Sequence, residues 1–266
     1  MRFNPIEAAQ KITNTYRDYM KGTFFIRDEE FRKAYYERLD DLEFSKGPYL
    51  ECVDAFLLGK SLSDLVHEQL MSPKFKELFK HDPDQFTRPL YKHQEDALRV
   101  ALAGKNMVVT TGTGSGKTEC FLYPVIHYLL EQEKDGVLSP GVRILLLYPM
   151  NALANDQMQR LRELLKDYPS ITFGSYTGET EETRRDAVAR YRLLHDGELP
   201  LENELVSREQ MKETPPHILV TNYAMLEYLL VRPADNVFFD DPRFNGFWKY
   251  IVLDEAHVYS GASGME

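Results

Sequence analysis

Cysteine is nearly absent from this 266-residue chain, which has two, Cys52 and Cys120. Two such thiols make neither a disulfide framework nor a zinc site, so stapled secreted folds are excluded and a reducing cytoplasm is the expected compartment. No apolar run approaches the length of a membrane span, and no membrane partner is expected. The first residues, M-R-F-N-P-I-E-A-A-Q-K, lack the apolar core of a secretory signal. Positive charge is also short: the formal net charge is −10, which argues against a broad basic surface. That deficit does not exclude nucleic acid, because helix N-termini and a few arginines grip a phosphate backbone on an acidic protein.

What is present makes a core. Hydrophobic residues are 43% of the chain and aromatics 12%, enough for one large α/β domain and a smaller one at about 100–200 residues per domain. The chemistry concentrates first in Met107–Glu119, M-V-V-T-T-G-T-G-S-G-K-T-E. The run Met107–Val109 predicts a strand, and Phe121, Leu122, Val125, Ile126, Leu129 and Leu130 predict the buried stripe of a helix. Strand, glycine loop and helix form the setting of a phosphate-binding loop. Gly112, Gly114 and Gly116 let backbone N–H groups turn toward an anion, and the helix start adds the positive end of its dipole. Thr111, Thr113 and Ser115 complete the loop. In this pattern Lys117 reaches the β/γ-phosphates of ATP and the Thr118 hydroxyl holds Mg²⁺. The strict pattern wants glycine where this chain has Thr111. A bare glycine turn with an exposed lysine is the alternative, and the flanking elements disfavour it.

Residues 1–85 read as a helical accessory domain. Ile6, Ala9, Ile12, Tyr16 and Tyr19 recur at helical spacing, as do Phe31, Tyr35 and Leu39. A Gly47–Pro48 turn and Val53–Leu58 follow. Ser61 with Asp64 is a capping-box pattern, and Ser72–Pro73 starts another short helix. Phe24, Phe25, Tyr35 and Tyr36 are expected in a core rather than as base-stacking platforms. The polar, proline-broken connector His81–Pro89 sets the boundary with a second domain, 86–266.

That domain alternates strands and helices. Arg88–Gln94 leads a helix through Ala97, Leu98 and Leu102, and the Gln94 amide complements an adenine edge. Arg143–Tyr148 is an uninterrupted apolar strand, the mark of a parallel sheet covered on both faces. Pro149, Asn151 and Ala152 open the next helix, Ile171–Tyr176 is a strand ending before Gly178, and Thr180–His195 is an arginine-rich helix. Residues 196–215 look like a polar surface insertion. The strand His217–Thr221 leads into a helix at Asn222, which Arg232–Pro233 stops. Last, Tyr250–Leu253 is an apolar strand emptying into Asp254, Glu255 and His257. Parallel sheets place ligand chemistry at the carboxyl ends of their strands. Asp254 there holds the metal and Glu255 orients or deprotonates the attacking water.

These residues carry a family resemblance. T-G-T-G-S-G-K-T with D-E-A-H resembles motifs I and II of superfamily 2 DEAD/DEAH-box helicases, in which threonine or alanine commonly replaces the first glycine. Arg88–Gln94 resembles their adenine-binding Q-type motif, Pro149–Gln157 motif Ia, and Thr221–Leu226 motif Ib. Y-P-M-N-A-L-A-N-D-Q, T-P-P-H-I-L-V-T-N-Y-A-M-L-E-Y-L-L and L-D-E-A-H-V-Y-S-G-A-S-G look like the MrfA/YprA-type branch, which includes phage-defence helicases of Druantia and DISARM type. The resemblance implies a RecA-like parallel sheet with flanking helices and an ATP- and Mg²⁺-dependent DNA helicase. Lys117, Asp254, Glu255 and His257 are then catalytic, and Arg88, Gln94 and Thr111–Thr118 bind the nucleotide. Pro149, Asn151, Ala152, Gly178, Thr221 and Asn222 face nucleic acid, either single-stranded or a duplex with a single-stranded tail. It also implies a second RecA-like domain, in the same or a partner chain, and other defence proteins as partners. The sequence stops at Glu266, before the family's motif III, so residues 1–266 alone are expected to be nearly inactive. A rival reading is a nucleotide-gated nucleic-acid-binding or scaffold module without unwinding activity. A small-molecule kinase lacks any sign of an acceptor pocket.

Overall fold

Asn4 and Asp28 each start a helix in the N-terminal unit. In the computed structural model, which describes residues 4–47, 49, 55–112, 114–239, 241–244 and 246–259, the Asn4 side chain accepts from the backbone of Ile6 and Glu7. With proline at its first position, α1 runs Pro5–Thr23. Asp28 accepts from Phe31 N at 3.0 Å and starts α2, Glu29–Asp41. Lys21 on Asp40, at 2.6 Å, and the Tyr36 hydroxyl on the Lys21 carbonyl hold the hairpin together. Leu39 is the one buried residue among these two helices. Phe24 and Phe25 are 52% and 81% exposed, so the core expected there is not formed by them. Two short helices have too little surface to enclose one. Tyr35 and Tyr36 are half-buried. Pro48, Cys52, Val53 and Thr113, which the sequence reading invokes, lie outside the described residues.

The chain divides between Ala55 and Phe56 rather than at the 81–89 connector. Packing is the reason. Leu62, Leu65, Phe75, Leu78 and Phe79 share one buried cluster with Leu98, Leu122 and Ile126. In the larger unit β1, Leu58–Ser61, pairs antiparallel with β2, Pro89–Tyr91. Both are too short to show an alternating pattern in sequence. Between them lie α3 (Leu62–His67), α4 (Phe75–Leu78) and α5 (Pro83–Thr87). The capping box of α3 forms as the sequence predicts: Asp64 N donates to Ser61 Oγ at 3.1 Å and Ser61 N to Asp64 Oδ2 at 2.9 Å.

After α6 (Lys92–Leu102) and α7 (Lys117–Lys134) comes a sheet built from β3 (Ile144–Tyr148), β4 (Phe173–Tyr176), β5 (Glu204–Leu205), β6 (Ile218–Asn222) and β7 (Tyr250–Leu253). Its order is β5-β4-β6-β3-β7, with every pairing parallel. The crossovers carry α8 (Asn151–Leu165), α9 (Arg184–Leu194), α10 (Arg208–Glu213) and α11 (Tyr223–Val231). All five residues of β3 are buried, as a sheet covered on both faces requires. On one face Ile144, Leu146, Ile218 and Val220 meet α7 and α8 through Leu122, Ile126, Met158 and Leu161. On the other, Leu145 and Leu219 meet Met211, Met225, Leu229 and Phe238. Among the described residues no helix is long and apolar enough to cross a membrane.

Two sequence expectations give way. Residues 107–109 form no strand, and Val108 is 88% exposed. A strand exists only where a neighbour takes its N–H and C=O groups. Beyond the edge strand β7, with Ile251 and Leu253 exposed at 67% and 53%, no further strand stands among the described residues. The stretch 196–215 is not a plain insertion, since β5 extends the sheet and α10 seats Met211 on it. Gly174 makes this possible: a Cβ there would come 2.7 Å from both the Leu205 carbonyl oxygen and Met211 Sδ.

Two buried groups lead to stability predictions. Glu204, 3% exposed, accepts from Arg162 Nε at 2.9 Å and Nη2 at 2.7 Å, with the Tyr191 hydroxyl at 3.3 Å. Arg162→Met leaves that carboxylate buried without its counter-charge, a loss of about 3–5 kcal/mol. Urea unfolding measures it; a loss below about 1 kcal/mol would mean the carboxylate is rescued by rearrangement. His217, 4% exposed, accepts from Thr172 N at 3.0 Å through Nδ1 and meets the Ser139 carbonyl at 3.1 Å through Nε2. Burial, helped by the nearby Arg143 charge, lowers its pKa from 6.5 to about 4. The unfolded chain takes up this proton near 6.5 and the folded chain only near 4. The stabilisation is therefore whole above pH 6.5 and is lost as pH falls through about 4, a change of about 3 kcal/mol. Unfolding free energies between pH 7 and pH 4, compared with His217→Gln, isolate this contribution; parallel curves refute it.

Candidate nucleotide site and nucleic-acid rim

Gly116 turns the chain into α7 with φ of 73°, the left-handed region that disfavours a side chain. Among the described residues no side chain caps α7, which leaves its first N–H groups for an anion. At Gly112 and Gly114 an added Cβ would meet nothing within 4 Å among the described residues, so they leave the outer flank of the loop open. The inner flank is filled. A Cβ on Gly116 would stand 2.3 Å from Gln94 Nε2 and 2.9 Å from Glu119 Oε2. Buried Gln94 donates to the Gly116 carbonyl at 3.0 Å and accepts from Tyr91 N at 2.8 Å. One amide hydrogen and one lone pair remain for an adenine edge. The ring of His93 contacts the Ser115 carbonyl at 2.9 Å. Across the loop the hydroxyls of Thr111 and fully buried Ser115 bond at 2.6 Å. α6 thus braces the loop from beneath. Arg88 closes α5 through its backbone N–H and leaves its side chain exposed.

Lys117 and Thr118 are the first residues of α7, half-buried, and Lys117 has no ion pair among the described residues. Cys120 behind them is fully buried, and burial pushes its thiol up to about 11, which keeps it an inert apolar group. Tyr128, in the second half of α7, meets Tyr250 at the start of β7 with ring centroids 5.8 Å apart. From Tyr128 back to Lys117 the helix spans about 16 Å, and from Tyr250 to Asp254 the strand spans about 13 Å. Arg160 of α8 lies 3.8 Å from Glu119, and Tyr148, at the carboxyl end of β3, feels the charges of both Asp254 and Arg160. The loop end of α7 and Asp254 therefore share the carboxyl end of the sheet. Burial, and then the Asp254 charge, raises the Tyr148 phenol. Asp254 N donates to the Leu147 carbonyl at 3.1 Å, and its Oδ1 accepts from Glu255 N at 2.9 Å. Glu255 has φ of 48° and stands 3.3 Å from His257 Nδ1. A non-glycine residue in this conformation costs roughly 1–2 kcal/mol, and such residues gather at functional turns.

The carboxyl ends of β3, β4 and β6 meet in one chain of contacts. Asn222 Nδ2 donates to Asn151 Oδ1 at 2.6 Å, and Asn151 Nδ2 donates to Glu179 Oε1 at 2.8 Å. Ala152 and Gly178 are exposed and Pro149 half-buried on this rim. Thr221, expected to face nucleic acid, is corrected: it is fully buried and its hydroxyl donates to the Tyr176 carbonyl at 2.6 Å. Both faces of the sheet are covered by helices, so the Thr221 side chain has no open face to occupy and bonds the neighbouring strand. Among the described residues no side chain caps the start of α8, whereas Asn222 caps α11 through Met225 N. Sequence reasoning missed His93, Glu119, Tyr148 and Glu179, whose partners lie far along the chain.

The sequence profile of the DEAD/DEAH box helicases matches residues 91–266, and the chain belongs to that family. Its fold is the RecA-like parallel sheet with flanking helices. Within the family it falls in the MrfA/YprA-type branch. It is 30% identical to Druantia protein DruE of Escherichia coli (strain UMEA 4076-1) over 98% of this chain and 19% of DruE. It is 30% identical to the uncharacterized ATP-dependent helicase YprA of Bacillus subtilis (strain 168) over 66% of this chain and 19% of YprA. The crystal structure of the DUF1998 helicase MrfA bound to DNA and AMPPNP aligns with a TM-score of 0.53 at 25% identity, covering 78% of this chain and 23% of MrfA. The chain spans about a fifth of the length of these relatives.

Proposed function

We propose that this chain is the nucleotide-binding part of a motor that couples ATP hydrolysis to movement on DNA, in anti-phage defence. One observation carries the reading: a glycine loop ending in Lys117–Thr118 and the pair Asp254–Glu255 stand at the same end of one parallel sheet. The Thr118 hydroxyl and Asp254 carboxylate are hard oxygen donors, which fit Mg²⁺. Bound there, Mg²⁺ neutralises phosphate charge. Residues 112–118 cradle the phosphates with backbone N–H groups, Lys117 adds a positive charge, and Gln94 and Arg88 serve the adenine. Glu255 holds the attacking water and His257 orients Glu255, a role their 3.3 Å contact supports. Arginines from a second RecA-like domain, in the same or a partner chain, complete the cleft. The helical N-terminal residues serve as an accessory unit, and other defence proteins are partners. Likeness to DruE supports defence, and likeness to a helicase bound to DNA supports nucleic acid as the track. A nucleotide-gated scaffold is the weaker reading, because a switch has no use for Glu255.

On the rim, Asn151, Ala152, Gly178 and Asn222 grip phosphates, largely through backbone N–H groups at the start of α8. Such contacts carry no base information. Affinity of the intact protein for single-stranded DNA should fall linearly with salt on logarithmic axes and vary little with sequence. Fluorescence anisotropy with several oligonucleotides tests this, alongside DNA-stimulated ATPase rates. Strong preference for one sequence at fixed salt, or no stimulation, contradicts the reading.

A further inference from the structure

Glu119 stands in the first turn of α7 and faces two ways. Its Oε2 is buried without a hydrogen-bond partner among the described residues, and lies under the loop beside Gly116 and Gln94 Nε2. Its Oε1 is 3.8 Å from Arg160 Nη1 on α8. Two more buried atoms of neighbouring elements are unpaired: the Tyr148 hydroxyl, which feels the Arg160 charge, and Nε2 of Gln157, one turn before Arg160. An acceptor and two donors left unpaired by burial make this arrangement unfavourable, and any rearrangement that pairs them lowers its energy. The Glu119–Arg160 contact is part-exposed and therefore weak by itself, which suits a contact that is made and released.

We propose that Glu119, acting through Arg160, is the positioning residue that transmits the state of the nucleotide loop to α8. The inference rests on the reading of the chain as a nucleic-acid-dependent ATPase. A phosphate drawing on the N–H groups at the start of α7 moves its first turn, and Glu119 moves with it. α8 is continuous from Asn151 to Leu165, so displacement at Arg160 reaches Asn151 about 14 Å away without loss. Asn151 opens the helix whose uncapped start meets the strand. The two-state element is the seam between α7 and α8. In one arrangement Glu119 faces Arg160; in the other its buried oxygen pairs with the donors of Tyr148 or Gln157.

The test measures affinity of the intact protein for a labelled single-stranded oligonucleotide, with and without a non-hydrolysable ATP analogue. In the wild type the analogue changes this affinity by about fivefold or more. Glu119→Gln and Arg160→Gln each bring the ratio close to one, and the double variant is no worse than either. Affinity for the analogue without DNA stays within about twofold of wild type. By reciprocity DNA changes the analogue's affinity by the same factor in the wild type alone. Arg160 is half exposed, so its variant folds and decides the question should Glu119→Gln fail to fold. Wild-type ratios in both variants overturn the proposal. Loss of analogue binding in Glu119→Gln without DNA also overturns it, because Glu119 then belongs to the nucleotide site. A wild-type ratio of one removes instead the nucleic-acid-dependent reading beneath it.

Discussion

Replacing Glu255 with glutamine lowers ATP turnover of the intact protein by about 10²–10⁴-fold, the range a positioned general base contributes. The substitution keeps size and shape, so the left-handed turn at Glu255 and the backbone bond to Asp254 Oδ1 persist. What disappears is the carboxylate charge, and with it the proposed proton acceptor and the ionic partner of His257. Asp254 and Thr118 are untouched, so the nucleotide still binds. DNA binding in the presence of ATP persists or strengthens, because the protein is held in its nucleotide-bound state. Steady-state ATPase assays beside analogue titration separate the two effects. Normal turnover in the variant rules Glu255 out as the base, and lost nucleotide binding would assign it to the metal site.

Lys117→Ala acts on binding. Charge-assisted hydrogen bonds contribute about 1.5–3 kcal/mol, so losing the ammonium weakens nucleotide affinity by about 10–100-fold. Lys117 begins α7, is half-buried and has no ion pair among the described residues, so its removal breaks no existing pair. Unfolding free energy should change by less than about 0.5 kcal/mol. Titration of a fluorescent ATP analogue against both proteins, with a urea melt as control, reads this directly. Unchanged affinity sinks the assignment of the 112–118 loop to phosphate.

Several features were legible in the chain itself because their instructions are local. The glycine, lysine and threonine spacing of the loop, the apolar run Ile144–Tyr148, the cap at Ser61 and the helix start at Asn222 each act within a few residues. Asp254 and Glu255 were legible for the same reason, as polar residues ending an apolar strand. Tertiary structure alone decided the rest. Residues 107–109 are apolar enough for a strand, yet among the described residues no strand pairs with them. Glu204 and Leu205 look polar and unpatterned, yet β4 makes them a strand by lying beside them. Gln94 supports the loop because α6 passes beneath Gly116, and Thr221 turns inward because Tyr176 offers its carbonyl. Glu179 reaches Asn151, and Glu119 reaches Arg160, across elements that share no local sequence. A cap or a glycine turn forms from residues adjacent in the chain, whereas a strand partner, a buried hydroxyl or an ion pair between helices exists only after distant segments have been brought into contact.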